Sequence, residues 1–328
     1  MTNTRVAIVV SVLTIVGLFG LGEGSARALE GRLSSAGEWP DGPVAEQFNT
    51  VLNAEHGPSV SVVFAGSSMV EAGVDASRFA SLTGLRSLNV ALPASTNFMV
   101  EPWLVHVVVP MLRPRIVAIG VASRDFNDNG NGPADALQAV TQAPGYRSVV
   151  ARGTLARIDR VVSRYSALVR LRRELRRPTN VLRALSGGKP SSVPAPCASG
   201  RPRYAYHPSS LVSAYPTTVL KRYSAGGTQT RALIKAVREL QRLGTKVVLV
   251  KLPTTSDYLS LHPHGHRDIV AFDAALRDVV GETNASLIDA SALHNKSFFR
   301  DQIHLNCAGA ERLTMAITRE WPSSLRKG

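Results

Sequence analysis

Five short segments rich in valine, isoleucine and leucine recur along the chain, and stretches of helical pattern separate most of them. These segments span residues 60–64, 87–91, 116–120, 246–252 and 285–288, and the clearest helical patterns span 228–243 and 269–280. Near-continuous apolar strands are typical of a parallel sheet that is buried on both faces. We therefore predict an α/β fold with a parallel five-stranded sheet, whose functional groups lie at the carboxyl ends of the strands.

The N-terminus carries an apolar run over residues 6–21, preceded by Arg5 and followed by small and polar residues. At ~1.5 Å per residue this run is about 24 Å long, slightly short of a hydrocarbon core of ~30 Å. Residues 26–28 read Ala-Arg-Ala, a pattern typical of signal-peptide cleavage sites. Residues 1–29 are thus predicted to be a signal peptide or a membrane anchor, and both interpretations export residues 30–328 as one domain.

The chain is strongly basic, with 38 lysines and arginines against 24 acids and a net charge of +14. Such an excess favours anionic partners. Because export makes nucleic acid an unsuitable partner, we expect an anionic envelope polymer or a lipid surface. Export also allows Cys197 and Cys307 to form a disulfide, although free thiols fit the sequence equally well.

A long insertion separates the third predicted strand from the fourth, at about residues 130–215. Apolar residues recur there at helical spacing, and arginines crowd the same stretch. The arginines are Arg152, Arg157, Arg160, Arg164, Arg170, Arg172, Arg173, Arg176 and Arg177. They form either a solvated helix face or an anion-binding surface. Beyond them, a stretch rich in proline, serine and glycine indicates an irregular loop.

Two polar patterns at opposite ends of the chain suggest nucleophilic catalysis. The first predicted strand runs directly into Gly-Ser-Ser in "VVFAGSSMVEAG", and "DQIHLNCAG" near the C-terminus contains Asp301 and His304. An aspartate that orients a histidine, which in turn accepts a proton from a serine, forms a catalytic triad. Each pattern is weak alone, since Gly-Ser also suits turns and Asp-x-x-His is common.

Together, these two stretches resemble the first and last sequence blocks of the SGNH/GDSL hydrolases. The resemblance implies a flavodoxin-like, three-layer α/β/α fold and a triad in which Ser68 is the nucleophile, His304 the base and Asp301 the orienting acid. Ser67 stands where the family has aspartate. Gly-Ser-Ser at this place is similar to an exported subgroup that includes alginate-type O-acetyltransferases and teichoic-acid alanylation proteins.

The middle blocks resemble the family less closely. Ala94 in "LNVALPASTN" occupies the place of a glycine whose backbone N–H binds the oxyanion, beside the N–H of Ser68. The third block, usually Gly-x-Asn-Asp, aligns with Arg124-Asp125, and Asn127-Asp128 follow. The resemblance therefore implies that either Arg124 or Asn127 supplies a further oxyanion donor.

We predict an exported serine esterase or O-acyltransferase without a cofactor, acting on acyl esters of envelope glycans. The alternative is a non-catalytic envelope protein that binds an acidic polymer through its basic insertion. A weaker candidate is a metal site formed by His262, His264 and His266, which alternate in "LHPHGHRD". The surrounding Pro263 and Gly265 favour an irregular loop instead.

Overall fold

The computed structural model describes residues 2–29, 33, 42–55, 57–130, 138, 140–150, 158, 162, 165–176, 178–186 and 205–326. Within them, five strands form one fully parallel sheet in the order β2-β1-β3-β4-β5. The strands are β1 (Val62–Ala65), β2 (Ser87–Asn89), β3 (Ile116–Val121), β4 (Lys246–Lys251) and β5 (Ser286–Asp289). Each lies in or overlaps a predicted segment, and the order is that of flavodoxin-like folds. The predicted fold class is confirmed.

Helices surround the sheet and follow most of the strands. Those before β3 are α1 (Thr2–Leu29), α2 (Gly42–Glu55), α3 (Ser68–Gly73), α4 (Ala76–Thr83), α5 (Asn97–Val100) and α6 (Val109–Leu112), with a π-helical segment, Glu101–Val108, joining α5 to α6. Those of the insertion are α7 (Pro144–Val150), α8 (Ala167–Arg170), α9 (Arg172–Leu175), α10 (Pro178–Leu185) and α11 (Ser210–Ser213). Those after it are α12 (Thr228–Arg242), α13 (Ser256–Leu259), α14 (His266–Thr283), α15 (Cys307–Glu320) and α16 (Ser323–Arg326).

The sheet is covered by helices, which is why its central strands are apolar along their length. Every residue of β3 is buried. Helix α12 packs against β4, α14 and α5, while α15 packs against α3 and α4. Because all five strands are parallel, the segments that follow β1, β2 and β3 emerge at the same edge of the sheet. The candidate catalytic groups come from these three segments and from the loop before α15.

The large apolar side chains of helix α1 from Val9 to Leu21 are exposed, and its segment Val9–Leu29 is by length and mean hydropathy able to cross a membrane. Its C-terminal turns pack against the insertion. A second small core is formed there by Ala26, Leu33, Ala167, Leu171 and Ala184. The division of the chain at residue 29 stays a prediction.

The described parts of the insertion include helices α7 to α11, whereas residues 205–209 have no regular secondary structure. The predicted irregular loop that follows α10 lies mostly outside the described residues. Cys307 is disulfide-bonded. Cys197, the other cysteine in the sequence, also lies outside the described residues.

Candidate active site

The serine pair lies where β1 ends and α3 begins, on a turn that requires a glycine. Gly66 has φ +145°, and a Cβ atom there would lie 2.7 Å from the carbonyl oxygen of Gly120. The side chain of Ser67 is buried and accepts a hydrogen bond from the backbone N–H of Met69, so Ser67 caps α3. Ser68 is the first residue of α3 and is partly accessible. The two hydroxyls therefore differ in environment, and only that of Ser68 is open.

The side chains of Ser68, His304 and Asp301 form one continuous hydrogen-bonded chain. The Oγ atom of Ser68 lies 2.9 Å from Nε2 of His304, although the two residues are 236 positions apart. On the other side of the ring, Nδ1 of His304 lies 2.8 Å from Oδ2 and 3.0 Å from Oδ1 of Asp301. This is the order of contacts in which a carboxylate fixes the imidazole tautomer and leaves Nε2 free to accept the serine proton.

Local backbone contacts hold the loop that carries this aspartate and histidine. Oδ1 of Asp301 accepts hydrogen bonds from the backbone N–H groups of Ile303, at 3.0 Å, and His304, at 2.8 Å. Burial raises the pKa of Asp301. The hydrogen bonds from the His304 ring and from these two amides lower this pKa by more than burial raises it, so the pKa of Asp301 lies below its usual range. The carboxylate therefore stays ionised while it orients His304.

The loop is anchored at both ends to regular structure. Residues Phe299 and Leu305 form an antiparallel bridge across it. Asn306 then caps α15, accepting from the backbone N–H of Gly309 at 3.1 Å and donating to the carbonyl of Ser297 at 2.8 Å. Asn306 is thus a structural member of the "DQIHLNCAG" block, one that sequence reasoning did not single out.

The loop after β2 is hydrogen-bonded to the serine turn at the carbonyl of Gly66. The backbone N–H of Leu92 and the hydroxyl of Ser95 both donate to the carbonyl of Gly66, at 2.9 and 2.8 Å. Ala94, between them, has φ +59°, the left-handed region that favours glycine. Among the described residues, no partner accepts a hydrogen bond from the backbone N–H of Ala94 or of Ser68. Two backbone donors, one at Ser68 itself and one in the loop that contacts Gly66, are therefore uncommitted.

Arg124 is buried in the loop after β3, in contact with Asp125 and Tyr215. Its Nε lies 3.5 Å from Oδ1 of Asp125, and its Nη1 donates to the Tyr215 hydroxyl at 3.4 Å. Burial lowers the pKa of Arg124, but the charge of Asp125 and two tyrosines raise it, and the net pKa lies above its ordinary value. Asp301 in turn raises the pKa of Tyr215, after the larger effect of burial. Tyr215 therefore contacts the guanidinium of Arg124, a contact that nothing in the sequence indicated.

Asn127, the other candidate oxyanion donor, uses its side chain in contacts with the end of the insertion. Its Nδ2 donates to the carbonyls of Val219, at 2.8 Å, and Lys221, at 3.2 Å, and its Oδ1 accepts from the backbone N–H of Ser224. Both amide protons are therefore used to hold the segment at the end of the insertion. Asp128 caps α12, accepting from Gly227 and Gln229. The Asn-Asp pair is thus structural in this chain.

Of the three histidines considered as metal ligands, His262 and His264 have other contacts, and His266 is the exposed first residue of α14. His262 is buried, with Nε2 2.9 Å from the Ser123 hydroxyl and Nδ1 3.6 Å from Asp268. His264 is largely exposed and its Nδ1 lies 2.8 Å from the other carboxylate oxygen of Asp268. Within the described part of the chain, no group of three or more potential ligands is positioned to hold a metal ion. The predicted irregular loop here is an ordered turn that leads into α14.

Ser123, His262 and Asp268 therefore form a second Ser-His-Asp array, which no sequence motif indicates. Ser123 also lies 2.8 Å from the hydroxyl of Tyr258, so both sides of its Oγ are occupied. The serine, the histidine, the aspartate and the tyrosine are all buried. We refer to Ser123, His262, Asp268 and Tyr258 as the buried array.

Neither a family model nor a curated protein matches this sequence. Similar solved structures include a GDSL-like lipase from Bacteroides thetaiotaomicron, with 9% identity, a TM-score of 0.43, and coverage of 83% of this chain and 95% of that chain. Another is Axe2, an acetylxylan esterase from Geobacillus stearothermophilus, with 13% identity, a TM-score of 0.42, and coverage of 81% and 95%. Both are ester hydrolases by name. These resemblances are distant, so the functional conclusion rests on the contacts of the site itself.

Proposed function

We propose that this protein is an SGNH-type serine esterase or O-acyltransferase. The observation that carries the proposal is the chain of contacts from Ser68 Oγ to His304 Nε2, at 2.9 Å, and from His304 Nδ1 to Asp301, at 2.8 Å. These hydrogen-bonded side chains lie at the carboxyl edge of the parallel sheet, where the functional groups of α/β folds are usually found. A partly accessible serine with an oriented base is the arrangement that acyl transfer requires.

The proposed reaction proceeds in two halves. In the first, Ser68 Oγ bonds to the ester carbonyl carbon while its proton passes to Nε2 of His304. The bond to the alkoxy oxygen then breaks, and His304 returns the proton to that oxygen, which releases the alcohol. In the second half, water or a sugar hydroxyl gives its proton to His304 and attacks the acyl-serine, and Ser68 regains the proton as it leaves.

The developing oxyanion needs donors that are fixed before the reaction. The backbone N–H groups of Ser68 and Ala94 are proposed for this role because neither has another partner among the described residues. Removing one such donor typically costs ~10²–10³ in rate. Arg124 remains proposed as a supporting cation behind these donors, fixed by Asp125 and Tyr215. Asn127 has no part in this proposal.

The proposed substrates are acyl esters of envelope glycans. Support comes from the resemblance of Gly-Ser-Ser to the exported acyltransferase subgroup and from the apolar N-terminal helix. The alternative, an idle site on a polymer-binding protein, is disfavoured because Ser68, unlike Ser123, is partly accessible and its histidine is oriented by both oxygens of Asp301. Both hydrolysis and transfer follow from the same acyl-serine.

We further propose that α1 is kept as an anchor rather than cleaved. Cleavage after residue 28 would remove Glu23, which accepts hydrogen bonds from the Ser166 hydroxyl and from the N–H groups of Ala167 and Leu168. It would also remove Ala26, which is buried in the second core. The expected mature chain therefore retains α1, and the intact mass of the protein in the membrane fraction tests this.

Hydrolysis of p-nitrophenyl acetate by the full chain tests the enzymatic proposal. Ser68→Ala is expected to reduce turnover to background, a loss of ~10⁴-fold or more. Ser67→Ala is the matched control, because it removes the neighbouring hydroxyl, which only caps α3. We expect it to keep turnover within about tenfold at a cost of ~1 kcal/mol in stability. Undiminished turnover in Ser68→Ala would contradict the proposal.

A further inference from the structure

The last segment of the insertion is hydrogen-bonded to the loop that carries Asp301 and His304. We call residues 206–213, all of them described by the structure, the docking segment. The backbone N–H of His207 in this segment donates to the carbonyl of Arg300 at 2.8 Å. The docking segment therefore contacts the residue immediately before the acid of the triad.

Gln302, which lies between the two triad residues in the chain, makes the central contacts with the docking segment. Gln302 is buried. Its Oε1 accepts from the backbone N–H of Ser209 at 2.7 Å. Its Nε2 donates to the hydroxyl of Ser213 at 3.0 Å and to the carbonyl of Ser209 at 3.4 Å. Both ends of the side-chain amide are therefore used in contacts with the insertion.

The backbone carbonyl of Gln302 is held by a different part of the chain. It accepts hydrogen bonds from the N–H and from the hydroxyl of Thr255, at 3.2 and 2.8 Å, in the loop between β4 and α13. Thr255 is buried and also caps α13. Gln302 thus joins the catalytic loop to the sheet through its backbone and to the insertion through its side chain.

The turn from Asp301 to His304 is held together internally, but its place beside Ser68 depends on other segments. Oδ1 of Asp301 accepts from the N–H groups of Ile303 and His304, and the His304 ring contacts the same carboxylate. The acid and the base are therefore expected to move together. None of these contacts fixes the 2.9 Å distance from His304 Nε2 to Ser68 Oγ. That distance depends on contacts with segments outside the turn, and Gln302 makes such contacts from within it.

We propose that Gln302 is a positioning residue, which makes the placement of His304 against Ser68 depend on the docking of the insertion. This rests on the proposed function of the triad. Gln302 contacts no reacting atom and acts through His304. Because a displacement of about 1 Å can cost ~10²-fold in rate, loss of its side-chain contacts is expected to lower kcat ~10–100-fold and to leave KM within about threefold.

Two proline substitutions in the docking segment test the proposal with the full chain. Ser209 has φ −81°, which proline can adopt, so Ser209→Pro removes the N–H that donates to Gln302 with little strain. Ser210→Pro is the matched control, because Ser210 is the first residue of α11, where proline is favoured and an N–H has no acceptor within the helix. With p-nitrophenyl acetate, we expect a ~10–100-fold lower kcat for Ser209→Pro and an unchanged kcat for Ser210→Pro.

A second variant removes the same contact from the other side. Gln302→Met preserves the length of the side chain and removes its hydrogen bonds to Ser209 and Ser213, so we expect the same loss of kcat. Because Ser209→Pro and Gln302→Met break one contact, the double variant is expected to be no slower than the slower single variant. Losses that multiply in the double variant would overturn the proposal. A raised KM with unchanged kcat would also overturn it, since the docking segment would then act on substrate binding instead.

Amide hydrogen exchange of the peptide spanning residues 299–306 separates this proposal from the enzymatic one. We expect exchange of the Ile303 and His304 amides to be severalfold faster in Ser209→Pro than in Ser210→Pro, whether or not the protein turns over an ester. Equal exchange or equal kcat in these two variants would overturn the role of Gln302. An inactive parent protein in which exchange still responds to Ser209→Pro would contradict the enzymatic proposal alone.

Discussion

Ser68 and Ser123 each lie 2.9 Å from the Nε2 atom of a histidine whose Nδ1 faces an aspartate. The two arrays nevertheless differ in what else touches the serine. The hydroxyl of Ser123 is also bonded to Tyr258 and has no access to solvent-borne molecules, whereas Ser68 is partly accessible. Of these two serines, Ser68 is the one accessible from solvent.

The aspartates differ as well. Asp301 lies within 3.0 Å of His304 Nδ1 through both oxygens. Asp268 is 3.6 Å from His262 Nδ1, and its closer contact is with the exposed His264. Among the residues that the structure describes, the His262 Nδ1 atom has no hydrogen-bond partner. The comparison teaches that residue types and serine–histidine distance do not define a nucleophile. A nucleophile is defined by the accessibility of its hydroxyl, by a carboxylate that orients the histidine and by N–H groups that have no other partner.

The largest expected difference between the arrays follows from replacing each histidine with glutamine. His304→Gln removes the proposed base, so turnover of p-nitrophenyl acetate is expected to fall by ~10⁵–10⁶. His262→Gln keeps a polar amide in the buried array, and we expect turnover within about tenfold of the parent. Similar losses in the two variants would show that the arrays are not functionally distinct.

The two aspartates are expected to differ by a smaller factor. Asp301→Asn keeps the shape of the side chain but favours the wrong imidazole tautomer, which costs ~10⁴ in turnover in a serine triad. Asp268→Asn changes only contacts with His262 and His264, so its turnover is expected to stay within about tenfold. If Asp301→Asn retained full turnover, the orienting role of Asp301 would be wrong.

For the free energy of unfolding, we expect the larger loss on replacing His262 and the smaller loss on replacing His304, the reverse of the order for turnover. His262→Ala leaves the buried Ser123 hydroxyl without this partner and opens a cavity, so unfolding in urea is expected to show a loss of about 3 kcal/mol. His304→Ala changes a part-exposed site, and a loss of about 1 kcal/mol or less is expected. A larger loss in the His304 variant would contradict the division between a structural and a reactive array.

The smallest expected effect is a pH dependence that belongs to His262. Burial lowers the pKa of His262 below its usual value of 6.5, against the opposing effect of Asp268. Because the unfolded chain binds this proton at a higher pH than the folded chain, the contribution of His262 to stability is full above about pH 6.5 and declines as the pH falls below it. The difference in unfolding free energy between the parent and His262→Gln is therefore expected to shrink from pH 7 to pH 5. A difference that grows on acidification would mean that the folded state binds the proton more tightly.

The sheet and the Ser68–His304–Asp301 contacts follow from short stretches of sequence. Apolar runs of five residues mark strands that are buried on both faces, and Ser68 and His304 lie in short local blocks. The role of Asn127 does not follow from its local sequence, because its amide donates to the carbonyls of Val219 and Lys221, which lie beyond the long insertion. The buried array joins residues 139 positions apart without a motif at either, so only the folded chain reveals it.

The central claim is that Ser68, and not Ser123, is an activated nucleophile. Reaction of the full chain with a fluorophosphonate probe, followed by peptide mapping, measures this directly. We expect a single adduct on the Ser68 hydroxyl, formed far more slowly in His304→Gln. An unmodified Ser68 after prolonged reaction, or an adduct on Ser123 instead, would contradict the account.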